Sequence, residues 1–180
     1  MALLQPARRR SAGCGGTLAL VVAVAVVLAT TLLAGCSRDD FEDRTAVVTL
    51  GGGDQAFSVD ACGRDGETVF VVARADDGAV AQVVLGVDAD GAGVPDSSGI
   101  TVDADPTASD TRVAAFGAES WARRGTAGDP PGTVEAAALR GSRIQLSGEV
   151  VPVDGDDRPV AGAEPTRFSF DARCDEQDDG

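Results

Sequence analysis

The cysteines carry the covalent chemistry open to this chain, and their neighbours sort the four into different uses. Cys36 ends the run Leu33-Ala34-Gly35-Cys36, directly behind an apolar stretch at residues 17–34 and, further upstream, the cluster Arg8, Arg9 and Arg10. A positive segment, an apolar segment and small residues ahead of a cut are the three parts of an export signal. With cysteine next in line, the run reads as a bacterial lipoprotein cleavage box. Cleavage after Gly35 makes Cys36 the first residue, its thiol free to take a diacylglyceryl group through a thioether, and fatty acyl chains such as palmitate complete the anchor. A membrane-spanning helix is the competing reading of residues 17–34, since that stretch is about as long as a bilayer requires. Cys14 also follows small residues, in Ser11-Ala12-Gly13-Cys14, but it lies ahead of the apolar run and leaves with the signal.

Cys62 and Cys174 remain, two thiols in an oxidising compartment, and a disulfide between them is expected. It closes a loop of about 110 residues, for which chain entropy gives roughly 4 to 5 kcal/mol. Two free buried thiols are the alternative.

Metal and acid–base chemistry are less well provided for. In Asp88-Ala89-Asp90-Gly91-Ala92-Gly93-Val94-Pro95-Asp96, acids stand at positions one, three and nine of a calcium loop and glycine at six. Position five is Ala92, and position twelve is Gly99 instead of a bidentate glutamate. A structural turn is therefore the preferred reading, with Asp88, Asp90 and Asp96 a weak calcium candidate; Asp154-Gly155-Asp156-Asp157 is weaker still. Glycosidase chemistry needs two placed carboxyls, and Glu119 and Glu135 are a pair that chance supplies among seven glutamates. The chain has no histidine, no Gly-x-Ser-x-Gly elbow and no phosphate loop. No catalytic residues and no cofactor are expected.

Whatever acts here must be positioned by a domain of modest size. Removing residues 1–35 leaves 145, one ordinary domain. Three arginines and no acid lie in the removed segment, so the formal charge of −14 becomes −17. Such acidity argues against nucleic acid and anionic membrane surfaces as partners. All fifteen basic residues are arginine, and alanine, glycine, valine and aspartate dominate, the bias of a GC-rich genome such as those of actinobacteria.

Residues 36–45 make an acylated cysteine and a short polar tether, 46–174 a β domain, and 175–180 an acidic tail. Within the domain, apolar residues come in short runs bounded by Gly, Asp and Pro, the rhythm of an all-β protein. Strands are predicted at 46–50, 55–61, 68–75, 80–87, 100–102, 134–139, 143–153 and 166–174. In the last, Phe168, Phe170, Ala172 and Cys174 share one parity, which points the Cys174 thiol into the core. Cys62 is out of step with Phe57 and Val59 and so belongs to a bulge or to the residues past its strand end. Gly51-Gly52-Gly53-Asp54 and Arg140-Gly141-Ser142 are hairpin connections. Residues 103–132 admit either a short helix begun by Asp110 or another strand. Trp121, beside Arg123 and Arg124, is either packed on the sheet, the preferred reading, or part of a binding surface. The expected fold is an antiparallel sheet curled into a sandwich or half-barrel with one disulfide and at most one short helix.

The order of these features resembles the mycobacterial nineteen-kilodalton lipoprotein antigen family over most of the mature chain. The likeness runs through Val47-Val48-Thr49-Leu50, the Gly53-Asp54-Gln55 turn, the strand into Cys62 and the apolar runs around Gly78. It is closest over Gly141-Ser142-Arg143-Ile144-Gln145-Leu146-Ser147-Gly148-Glu149 and Arg167-Phe168-Ser169-Phe170-Asp171-Ala172-Arg173-Cys174. The resemblance implies a non-catalytic, immunogenic lipoprotein on the extracytoplasmic face of the cell membrane, and its cysteine pair agrees with the disulfide. The segment before Thr45 lacks the Thr-rich, glycosylated stretch family members can carry, and residues 88–132 are enlarged. Two roles follow: interaction with a protein or envelope partner through exposed faces, which is preferred, or carriage of a hydrophobic envelope ligand such as a glycolipid. A carrier needs an apolar cavity of several hundred Å³, and six Phe and one Trp are few to wall it.

Overall fold

The computed structural model describes residues 44–105, 107–108, 112–126 and 128–174. The expected signal segment with Cys14, Leu33, Ala34 and Gly35, the expected acylation site Cys36, Asp110 and the acidic tail lie outside these residues. Nine strands and one helix follow along the chain: β1 (Thr45–Leu50), β2 (Gly53–Asp65), β3 (Thr68–Arg74), β4 (Val80–Val87), β5 (Gly93–Asp103), β6 (Arg112–Phe116), α1 (Ala118–Arg123), β7 (Thr133–Arg140), β8 (Arg143–Pro152) and β9 (Thr166–Arg173).

Alternation of buried and exposed residues makes these strands. In β4, Ala81, Val83 and Leu85 are buried while Gln82 and Val84 face out; in β9, Phe168, Phe170 and Ala172 are buried. The first hairpin turns at Gly51 and Gly52, both with positive φ (57° and 89°), the backbone that a tight two-residue connection between twisted strands requires.

Every pairing is antiparallel. Each strand from β1 to β6 pairs with the next, β9 pairs with β1, and β8 with β9. The sheet curls all the way round, because β8 also meets β6 through Val113 opposite Pro152 and Ala114 opposite Val151. The result is a closed eight-strand barrel with β7 as an extra strand. β7 takes the other stretch of the same edge of β8, from Arg143 to Glu149, and lies against β5, where Gly93 leaves no room for a side chain beneath the Ala137 backbone.

An eight-strand barrel has an interior that side chains just fill. Here Phe57, Leu85, Ile100, Ile144, Phe168 and Phe170, set among many Val and Ala, form one contiguous cluster. A second, smaller cluster lies on the opposite face of β6, where Ala114 and Phe116 meet Trp121 of α1 and Val153. Trp121 is 3% exposed, its ring centroid 5.4 Å from that of Phe116 and its Nε1–H donating to the Gly128 carbonyl at 3.0 Å. It is packed on the sheet, as preferred.

The disulfide joins Cys62 and Cys174, with Cα atoms 6.0 Å apart. The parity problem at Cys62 is solved by a bulge: the β2–β3 register slips between Val59 and Ala61, which leaves Asp60 unpaired and sets Cys62 opposite the buried Val71. Arg44 holds the bulge by donating from Nη2 to the carbonyls of Val59 and Asp60, each at 2.9 Å.

Residues 103–132 contain both proposed elements. β6 is the additional strand, and the helix begins after Gly117 instead of at Asp110. Gly117 is required by space, since a side chain there would run into the carbonyls of Pro95 and Asp96 on β5. β5 begins at Gly93, seven residues ahead of the expected 100, because Ser98, fully buried, replaces apolar contacts with hydrogen bonds to the Gly86 N–H (3.0 Å) and the Val94 carbonyl (2.7 Å). β2 likewise runs four residues past the expected end at 61.

Candidate functional site

Three turns share one backbone, and comparing them leads to the site. At residues 75–79, 88–92 and 154–158 the first N–H donates to the fifth carbonyl, while the fourth N–H donates to the first carbonyl. The fourth residue has positive φ each time: Gly78 (95°), Gly91 (81°) and Asp157 (61°). In the second turn the Asp88 carboxylate accepts from the N–H groups of Asp90 (3.0 Å) and Ala92 (2.8 Å); in the third, Asp154 accepts from Asp156 and Arg158, both at 2.9 Å. The Arg158 and Asp156 N–H groups hold the Asp154 carboxyl below the usual carboxylate range. These are turns in which a side-chain carboxylate satisfies backbone donors. Asp88 is thus engaged by its own loop, and Asp96 is on β5; among the described residues no three His, Cys, Asp or Glu side chains stand close enough to share a metal ion.

Asp157 differs from its two counterparts in carrying a side chain. Its carboxylate, 14% exposed, accepts from Arg112 Nη1 of β6 at 3.1 Å and from Arg124 Nη2 just past α1. Arg112 Nε is also 3.7 Å from Asp103 of β5, its cross-strand partner, and the Arg124 guanidinium lies over the Phe116 ring, 4.8 Å from its centroid. Further round the wall, Arg74 of β3 donates to Asp60 at 3.2 Å.

All of these charged groups except Asp60 line a groove of about 300 Å³ on the outer face of the barrel. Strand register builds it. Val72 stands opposite Gln82, which stands opposite Thr101; Arg74 stands opposite Val80, which stands opposite Asp103. All six have the parity opposite to the core residues between them. The outcome is a floor of Val72 and Val80 and a rim of guanidinium donors, carboxylate acceptors, one amide and one hydroxyl. Among the described residues neither the Gln82 side chain nor the Thr101 side chain hydrogen-bonds to another. The groove offers hydrogen bonding and paired charge.

Of the residues singled out from sequence, Arg124 and Asp157 line this groove, while Trp121 is buried and not part of its lining. Glu119 and Glu135 are engaged separately, Glu119 accepting from the Ser97 hydroxyl and Glu135 facing Arg167 at 3.6 Å. Gln82, Thr101, Asp103 and Arg112 carried no sequence signal, because each is an ordinary outward polar position until the register sets it beside the others. Compared with protein-family models and with curated proteins, the chain matches none.

Proposed function

We propose that this chain is an exported lipoprotein, anchored on the extracytoplasmic face of the cell membrane through acylated Cys36 and acting without catalysis through the outer faces of its barrel on a protein or envelope partner. The resemblance to the nineteen-kilodalton lipoprotein antigen family points the same way. The observation that carries the reading is the Cys62–Cys174 disulfide, which belongs to an oxidising compartment such as the one to which a cleaved signal delivers a chain. Arg44, where the described barrel begins, is eight residues beyond Cys36. An extended tether of that length spans at most about 28 Å, which keeps the barrel near its anchor.

Carriage of a glycolipid is the second reading, favoured by the closed eight-strand barrel, an architecture that can hold one small ligand. The contiguous inward cluster of Phe, Ile, Leu, Val and Ala weighs against it.

In the native type of host, Cys36→Ala is expected to abolish labelling by radioactive palmitate and to leave uncleaved precursor. Labelled mature protein from that variant would overturn the anchor assignment. Native mass spectrometry of the purified wild type separates the two roles, since a stoichiometric co-purifying glycolipid favours the carrier.

A further inference from the structure

Position 157 is the starting point. Two turns of identical hydrogen bonding place glycine where the backbone is left-handed, and the third places aspartate there, with its carboxylate between Arg112 and Arg124. Glycine is the residue that adopts this backbone without steric cost. Aspartate at 157 therefore serves through its side chain, and that side chain lines the groove.

The charges of the groove decide what it takes. Arg112 and Arg124 pair with Asp103 and Asp157 inside the groove, and Arg74, which also lines it, pairs with Asp60 beside it, so every guanidinium of the rim already faces a carboxylate. A phosphate or carboxylate needs donors in excess and must also approach a chain of formal charge −14. A metal cation would meet three guanidinium groups, and an apolar ligand would bury paired ions. A ligand whose every group both donates and accepts satisfies all of the rim at once: guanidinium groups only donate, carboxylates only accept, and the side chains of Gln82 and Thr101 do both. Val72 and Val80 beneath them present an aliphatic floor to a C–H face. We propose that this groove binds a neutral saccharide, with hydroxyls bridging between the Asp103 and Asp157 carboxylates and the Arg112 and Gln82 donors, and with one sugar face on Val72 and Val80. The volume, at the small end of ligand sites, suits a single ring and a dissociation constant in the millimolar range. The assignment rests on the groove alone and is independent of whether Cys36 is acylated.

Titration of the full chain, ¹⁵N-labelled and held in detergent micelles, with glucose, galactose, mannose and N-acetylglucosamine tests it by NMR. Inorganic phosphate and glucuronate are the anionic comparison. At least one neutral sugar is expected to shift the Gln82 side-chain amide and the backbone amides of Thr101 and Arg112. Gln82→Ala, at an exposed position that leaves folding intact, is expected to weaken that binding about tenfold. Asp157→Gly keeps the turn, as Gly78 and Gly91 show, and is expected to lose the sugar and gain phosphate, because Arg124 then loses its carboxylate partner and Arg112 keeps only Asp103. Preference of the wild-type groove for phosphate or glucuronate, or no saccharide shift up to tens of millimolar, overturns the proposal. A sugar response that survives both substitutions overturns it too, by placing the site elsewhere.

Discussion

Replacing both Cys62 and Cys174 by alanine isolates what the disulfide contributes, since neither a lone thiol nor a buried hydroxyl is left behind. The bridge spans 112 residues of sequence. In the chain-entropy treatment such a loop restrains the unfolded chain by about 16 cal/mol/K, which is about 4.8 kcal/mol at room temperature. Domains of this size have total stabilities of about 5 to 15 kcal/mol, so the loss is a third or more of the whole. With a urea m-value of about 2 kcal/mol/M, the unfolding midpoint should fall by about 2 M. Because the effect lies in the unfolded chain, the m-value should rise as that chain expands, while the folded variant keeps the β1–β9 and β2–β3 pairings. Equilibrium urea unfolding followed by Trp121 fluorescence and far-ultraviolet circular dichroism measures both quantities. A loss under about 1 kcal/mol, or an unchanged m-value with a full stability loss, would refute the loop-closure account and assign the effect to folded-state packing.

Gly117→Ala should cost about 1 to 3 kcal/mol, because the added methyl meets the Pro95 and Asp96 carbonyls; a red shift of Trp121 emission in the folded protein would report α1 lifting from β6. Phe170→Ala, at a site 1% exposed in the middle of the barrel, should cost about 3 to 5 kcal/mol by urea unfolding. The Asp154 carboxyl, held low by the N–H groups of Arg158 and Asp156, should titrate below the ordinary value of about 3.9 in carboxyl ¹³C NMR. Its contribution to stability is complete above the unfolded-chain value and is lost as pH falls through the lowered one; Asp154→Asn should remove that part of the acid dependence.

The strands most legible in the sequence are those with one wet face. β8 and β9 alternate along Arg143-Ile144-Gln145-Leu146 and Arg167-Phe168-Ser169-Phe170, and even the Asp60 bulge announces itself through the parity of Cys62. β6 is open between helix and strand because most of it is covered on both sides: Val113 and Ala115 face the barrel core, Ala114 and Phe116 face Trp121, and only Arg112, at its first position, marks an outer face. The start of β5 was hidden by Pro95, Ser97 and Ser98, whose polarity reads as loop although Ser98 is buried. Closure of the barrel depends on two residue pairs between β6 and β8, a long-range contact with no local signature. The groove was illegible for a related reason. Its residues are spread from Val72 to Asp157, and only the register across β3, β4, β5 and β6 gathers them.

The position of β1 bears on how the molecule carries load. β1 runs between β2 and β9, hydrogen-bonded along its length to both, and its first residue, Thr45, stands opposite Ser58 on one side and Arg173 on the other. Tension entering at Arg44 therefore acts along the axis of a central strand and loads two ladders in shear, where many bonds share the force, in place of peeling an edge one bond at a time. At the same end the Cys62–Cys174 bridge ties the two flanking strands across β1. A barrel tugged by its leading end thus meets the pull at its most doubly supported strand, while the two-pair joint between β6 and β8 lies elsewhere on the ring, out of the line of force.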